Sequence, residues 1–447
     1  MLKNKALLAA LPMLLLSGCM QFELTAEELM RPPALNQEQL AISTALEQAV
    51  GDSSIKYKYP ETGEHRSAFL FHDLDSDGED EALVFYQAAS KGSSTWLNVL
   101  DHRGEQWVSV YDIASPNGET EVDFISFQPL LSAQENMVIG WTDEHSGDKC
   151  AVIYSYDGAV LEENYSEYYD KLTFYDLNRD GLLDLSLVLC DPYYEECVVS
   201  FVIQNRDITG EVSLECSSTL YLPYGDGEVV SLQVGMVDNS TPALFIDNQI
   251  NLGRNLQMYV SQVVTAYGGD LVNLLDSDDT SLSETTMRHT RTLCQDINGD
   301  GIMEVPTVSP LPGYEEDEDD TLYLTTFNRL GVGRTWIPVG HCAINEDHRY
   351  MVKIPEKWLN NVTILSLPES SEWSFVRFEE TLEDSYSLLL KLKVYSVKDY
   401  HDKFESGYFE LLGTQGLFEY HAHIPENPEE ELSVTSEEVK EMFTFID

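Results

Sequence analysis

Asp73-Leu74-Asp75-Ser76-Asp77-Gly78-Glu79-Asp80-Glu81 runs straight into the apolar stretch Ala82–Tyr86. Asp176-Leu177-Asn178-Arg179-Asp180-Gly181-Leu182-Leu183-Asp184 runs into Leu185–Leu189, and Asp296-Ile297-Asn298-Gly299-Asp300-Gly301-Ile302-Met303-Glu304 runs into Val305. All three share D-x-[DN]-x-D-G-x-x-[DE]. Calcium takes six to eight oxygens at about 2.3–2.6 Å. Side chains at the first, third and fifth positions of a tight loop converge on one ion. The glycine permits the sharp turn, the seventh residue (Glu79, Leu182 or Ile302) offers its carbonyl, and the ninth closes the sphere with a carboxylate. A helix–loop–helix calcium hand also needs a glutamate at its twelfth position. Val84, Leu187 and Thr307 stand there instead, between strand-like flanks, so the loops are expected in β-hairpins. The alternative is three solvated acidic turns, since Asp-Gly is common in hairpins. A turn needs one Asp or Asn, however, rather than four spaced oxygens.

The spacing implies a repeat. Asp73, Asp176 and Asp296 lie 103 and 120 residues apart, each interval about twice a propeller blade of ~40–50 residues. Degenerate copies are expected midway. Phe127-Gln128-Pro129, followed by Met137–Trp141, fits the first gap, and Val237–Pro242, followed by Ala243–Ile246, fits the second. Further strand-like runs, among them Trp96–Leu100, Trp107–Tyr111, Ala151–Tyr156, Val198–Ile203, Leu256–Val264 and Thr321–Phe327, give about four short strands per repeat. The expected fold is mainly β: a β-propeller over residues 60–344, followed by a small α+β domain over 345–447. Five blades is the best count, and six if the segment before residue 66 contributes strands. Pro306 marks the strand after the third loop as short or at an edge.

The three loops resemble those of integrin-alpha-type FG-GAP repeats and related bacterial propeller repeats, in which such hairpin loops bind calcium. The resemblance spans roughly residues 60–340; the Phe-Gly and Gly-Ala-Pro elements that name the family are not evident. It implies about three calcium ions: one on Asp73, Asp75, Asp77 and Glu81, a second on Asp176, Asn178, Asp180 and Asp184, a third on Asp296, Asn298, Asp300 and Glu304.

Composition bounds the partners. The 447 residues include 78 Asp+Glu against 26 Lys+Arg, a formal net charge of −52, with 43% hydrophobic and 11% aromatic residues. That hydrophobic share can build a core. The charge argues against nucleic acid or anionic lipid head groups as the main ligand and suits cations. Met1–Met20 has Lys3 and Lys5 before the apolar Ala6–Leu16, as a secretory signal does. Leu16-Ser17-Gly18-Cys19 resembles the bacterial lipobox, in which the cysteine (here Cys19) becomes the lipidated N-terminus; a plain signal peptide or an N-terminal membrane anchor is the alternative. Residues 1–19 are thus an address, and 20–59 a tether and a helix capped by Asn36, with Ile42, Leu46, Ala49 and Val50 on one face and Gly51 at its end. That helix is expected to plug or brace the propeller edge.

Six cysteines remain after Cys19, none in CxxC spacing, which disfavours zinc and thioredoxin-like chemistry. Cys190 and Cys197 bracket a tight hairpin, either as a disulfide, which export permits, or as a buried reduced pair. In the C-terminal region Thr435 with Glu438 forms a capping box for a helix expected to end near Phe445. The acidic runs Glu315–Asp320 and Glu429–Glu431 read as solvated loops.

Catalysis finds little support. HExxH, GxSxG, a phosphate loop and the sialidase-type aspartate box are absent. His421-Ala422-His423 reads as a surface pair without a third metal ligand. With 78 acids, carboxylate pairs discriminate nothing. The expected function is therefore that of a lipid-anchored bacterial cell-surface protein, a calcium-stabilised recognition module for a surface protein or glycan, touching the membrane only through its anchor. The alternatives are an exported enzyme acting on polysaccharide or peptidoglycan, and a purely structural envelope protein.

Overall fold

The computed structural model describes residues 35–446, apart from 105, 132–133, 159, 192, 195, 225–226, 252–256, 278–279, 316–319, 397–409 and 427–430. The signal segment with Cys19, nearly all of the tether, and most of both acidic runs lie outside the described residues.

The chain is mainly β, laid out as successive antiparallel sheets. In the first, β1 (Ile55–Lys58) and β2 (Phe69–His72) both pair with β3 (Glu81–Ala88), and β4 (Trp96–Arg103) and β5 (Gln106–Ala114) follow. β1 pairs along Phe85–Ala88 and β2 along Glu81–Val84, so the two act end to end as one strand. The strand before residue 66 therefore completes the first sheet and does not begin another. The second sheet is β6 (Glu121–Gln128), β7 (Asn136–Thr142), β8 (Lys149–Tyr156) and β9 (Leu161–Tyr168). The third is β10 (Lys171–Tyr175), β11 (Asp184–Asp191), β12 (Glu196–Arg206) and β13 (Val212–Leu222). The fourth is β14 (Glu228–Met236), β15 (Pro242–Asn251), β16 (Gln257–Tyr267) and β17 (Asp270–Asn273). In these three sheets, neighbours in sequence are neighbours in the sheet.

After a short hairpin, β18 (Asp276–Ser277) and β19 (Thr280–Ser281), come β20 (Val305–Pro310), β21 (Tyr323–Gly331), β22 (Thr335–Asn345) and β23 (Tyr350–Lys353) of the fifth sheet. β20, carrying Pro306, is its edge strand, where a missing N–H breaks no ladder. The sixth sheet holds β24 (Val362–Leu367), β25 (Glu372–Arg377), β26 (Leu388–Ser396), β27 (Glu410–Gln415) and β28 (Phe418–His423), with β28 between β26 and β27. Finally β29 (Phe443–Phe445) returns to pair with β23.

The sheets stack face to face in chain order. One apolar cluster joins the first two through Leu83, Phe85, Ile139 and Trp141. Others join the second to the third (Val138, Ile153, Leu187, Val202) and the third to the fourth (Val199, Phe201, Ile246, Val264). Phe245 and Val263 meet Val305 between the fourth and fifth, and Tyr350 and Val352 meet Phe375 and Leu390 between the fifth and sixth. A strand covered on both faces reads as an unbroken apolar run rather than an alternation, which is why β3, β7, β11 and β15 look so in sequence. First strand lies on first strand and last on last, as β10 on β14 and β13 on β17.

The outer face of the first sheet is covered by helix α1 (Gln37–Val50). Asn36 and Gln39 form the capping box and Gly51 closes the helix at φ 71°. Ile42 and Leu46 pack on Phe69, Val84, Tyr86 and Leu100; Ala49, expected on this face, is exposed. Among the described residues, no apolar cluster joins the sixth sheet to the first, so the stack is open.

Helix α2 (Ser436–Met442) starts at Thr435 as expected but stops at Met442. The three residues expected to continue it form β29, because Phe443 and Phe445 pack against Tyr420 and Phe443 against Tyr350. The division expected at residue 345 falls inside a sheet: β22 ends at Asn345 and pairs with β23, tying residues 335–345 to the C-terminal core. Cys190 and Cys197 face each other across β11 and β12 and are joined in a disulfide. Cys150, Cys294 and Cys342 are buried free thiols and Cys216 is half-buried.

Candidate metal-binding loops and an inter-sheet cleft

Four of the five loop positions inferred from the repeat spacing join the first strand of a sheet to its second, and the fifth enters the first strand of the fifth sheet. Residues 73–80 join β2 to β3, 129–135 join β6 to β7, 176–183 join β10 to β11, and 237–241 join β14 to β15; 296–304 lead into β20. The first loop touches the second, the third touches the fourth, and the fifth reaches the end of β14 beside the fourth. Gln134 Nε2 donates to the Leu74 carbonyl at 2.7 Å, Arg179 reaches the Ser240 carbonyl, and Met303 N–H donates to the Met236 carbonyl at 2.9 Å. They line one rim of the stack.

The three acidic loops are conformational copies. Their fourth residues, Ser76, Arg179 and Gly299, have φ of 61°, 62° and 76°, and their sixth, Gly78, Gly181 and Gly301, have 94°, 87° and 86°. Left-handed backbone at the sixth position is why glycine stands there. The first carboxylate in each accepts the backbone N–H groups of the fifth and sixth residues. For Asp73 these are Asp77 and Gly78, both at 3.0 Å; for Asp176, Asp180 (3.0 Å) and Gly181 (2.9 Å); for Asp296, Asp300 (3.2 Å) and Gly301 (2.8 Å). Asn178 and Asn298 accept from Asp180 and Asp300, each at 2.9 Å. Asp77, Asp180 and Asp300 accept from the N–H of Glu79, Leu182 and Ile302 at 2.8, 2.8 and 3.0 Å. The closing carboxylate turns back under the loop: Glu81 accepts from Leu74 N–H at 2.8 Å, Asp184 from Leu177 at 3.0 Å, Glu304 from Ile297 at 3.0 Å.

These closing carboxylates are buried, and burial raises all three pKa values, Glu81 to about 7 and Asp184 to about 6. In the first loop, carboxylate oxygens of Asp73, Asp75 and Glu81 lie within 4.8 Å of one another. Burial and the neighbouring Asp77 push Asp75 up as well. In the second, Asp184 Oδ1 is buried with no hydrogen-bond partner. Gathered hard oxygens short of positive charge suit calcium: the first loop gathers three carboxylates, and the second offers the unpartnered Asp184 Oδ1, beside an Asn178 amide that donates to Asp180 Oδ2 at 3.1 Å. The third differs. Arg329, on β21, brings Nε to 3.1 Å from Glu304 Oε1 and Nη2 onto Asp300 Oδ2. Nothing near Asp296 in sequence announces it. Only the register does so: one step beyond the Val305–Asn328 pair, Arg329 stands opposite Glu304.

A second feature was not signalled by any motif. Between the fifth and sixth sheets lies a cleft of about 790 Å³, lined by His289, Tyr323, Glu346, Asp347, His348, Glu372 and Trp373, with hydroxyls of Thr290, Thr325, Ser366 and Ser371. Glu346 is fixed by the Arg291 N–H at 2.7 Å and Glu372 by Lys391 at 2.5 Å. His289 and Tyr323 rings lie 5.7 Å apart. Of the expected surface pair, His421 is instead buried, its Nε2 3.1 Å from Glu419 Oε2.

Among the described residues no helix is long and apolar enough to cross a membrane. No protein-family model matches the chain, and no curated protein matches it. Among solved structures it is similar to Bacillus licheniformis rhamnogalacturonan lyase PL11, at 12% identity and a TM-score of 0.28 over 68% of this chain and 69% of that one. It is also similar to the exotype rhamnogalacturonan lyase YesX, at 13% identity and a TM-score of 0.26 over 64% and 56%. At these TM-scores the similarity assigns neither fold nor activity.

Proposed function

We propose that this chain is a lipid-anchored, exported cell-surface protein whose blade-like sheets are stabilised by calcium and serve as a recognition module for a surface protein or glycan. The observation that carries the calcium part is the first acidic loop, where the carboxylates of Asp73, Asp75 and Glu81 converge with no cation between them; the second loop adds the buried, unpartnered Asp184 Oδ1. Calcium there would bind only the native loop and so stabilise it. The propeller reading is supported by consecutive four-stranded meanders, by first strands stacked on first strands, and by equivalent loops along one rim. With α1 on the first sheet, the form proposed is an open arc of five blades, after which the sixth sheet and α2 complete the C-terminal unit.

The cleft supports recognition of a glycan. Rings of Tyr323, His289 and His348 offer stacking faces, and carboxylates and hydroxyls offer hydrogen bonds to sugar hydroxyls. Its free charges are negative, which suits a neutral or amine-bearing saccharide over a uronate or phosphate. Titrating calcium into chelator-stripped full chain while following the melting temperature tests the loops; no binding leaves them as acidic turns. Co-sedimentation with purified peptidoglycan, for wild type and Tyr323→Ala, tests the cleft. Release of new reducing ends during that incubation would favour the enzymatic alternative.

A further inference from the structure

The geometry points to a third acidic loop that is neutralised by the chain's own Arg329, so that calcium occupies two loops rather than three. More generally, the residue facing the closing carboxylate from the neighbouring strand decides whether a loop takes an ion. This rests on the calcium reading of the first two loops.

The three loops share backbone conformation and most of their hydrogen bonds, the Asn178 amide on Asp180 and the Gly299 N–H on Asp296 being local additions; what sets the third apart in charge is what stands across the sheet. The same register step that sets Arg329 opposite Glu304 sets Asp101 opposite Glu81 and Ile203 opposite Asp184. Asp101 adds negative charge to the first loop, though Arg103 Nε holds it at 3.1 Å. Ile203 is neutral and leaves Asp184 Oδ1 unpartnered. Arg329 instead spans two of the four side chains that would hold an ion, Asp300 and Glu304. A guanidinium is a fixed planar fork, always charged, and matches a pair of carboxylates geometrically. With it in place, a divalent ion would lose two ligands and meet a like charge at contact distance. The buried Glu304 meanwhile has the counter-charge it needs.

The test is calorimetric counting of calcium sites on the full chain, stripped with chelator and held in detergent. Wild type should bind two ions, Arg329→Lys two, Arg329→Gln three, and Asp101→Arg one. Three ions on wild type, or two on a folded Arg329→Gln protein, would overturn the inference while leaving the calcium reading intact. No ions on wild type would remove both. Should Arg329→Gln fail to fold, melting temperatures decide. Asp77→Ala and Asp180→Ala should lower them in calcium and scarcely in chelator. Asp300→Ala should lower them equally in both; a calcium-only loss for Asp300→Ala would count against the inference.

Discussion

Arg288 and Asp247 are fully buried partners, Nη2 of one lying 2.8 Å from Oδ1 of the other. Asp247 belongs to β15 and Arg288 to the connection between the fourth and fifth sheets. The guanidinium also donates to Ser261 Oγ at 3.0 Å and to the carbonyls of Thr286 at 2.8 Å and Thr292 at 2.6 Å. Asp247 in turn accepts the N–H of Cys294 at 3.0 Å. The pair therefore fastens the chain entering the third acidic loop. Arg288→Met leaves a buried carboxylate unpaired and should cost about 3–5 kcal/mol. Arg288→Met with Asp247→Leu should cost well below the sum of the single changes. Denaturant midpoints of the four proteins give the comparison.

Asp184 separates a structural role from a metal role. Asp184→Ala removes the acceptor of Leu177 N–H, a buried loss of about 1–3 kcal/mol, and should lower the melting temperature with or without calcium. Asp184→Asn keeps an acceptor in place. It should match wild type in chelator and fall behind only when calcium is added. An equal deficit for Asp184→Asn in both conditions would contradict a metal role for this carboxylate.

The helix over the first sheet should contribute measurably. Leu46→Ala opens a cavity against Val84 and Tyr86 and should cost about 2–5 kcal/mol. Asn36→Ala, which removes half of the capping box, should cost about 1 kcal/mol. Thermal unfolding would read both; a silent Leu46→Ala would mean the helix detaches without consequence.

Burial lowers the pKa of His341 and of His348 below 6.5. The folded protein therefore binds fewer protons at these sites than the unfolded chain. The stability involved is present above pH 6.5 and is lost as pH falls through the folded values. A His341→Asn, His348→Asn double variant should lose less stability than wild type between pH 7 and 5. Parallel pH profiles would exclude this contribution.

What the sequence made legible was local. The capping residues of α1, the start of α2, the strand flanks of the acidic loops and their repeat spacing all follow from short-range chemistry, a turn glycine or an Asn before an apolar face. Arg329 was not legible, because it lies 25 residues from Glu304 and meets it only through strand register. The last residues of the chain misled for a related reason. Phe443 stands four residues after Val439, as a continuing helix would place it, yet the aromatic rings of the fifth and sixth sheets claim Phe443 and Phe445 as a strand. The cleft was equally invisible, since its lining comes from four separated stretches of chain.

The position of α1 has a consequence for the protein in bulk. Every internal sheet in the stack has a neighbour laid against each face. Among the described residues it is the helix that keeps the first sheet from receiving one, through Ile42 and Leu46 over Val84, Tyr86 and Leu100. Stripped of residues 35–51, that face would be an adhesive end ready for another molecule's lamina. The helix thus closes the stack at its first sheet, where a further sheet would otherwise lie.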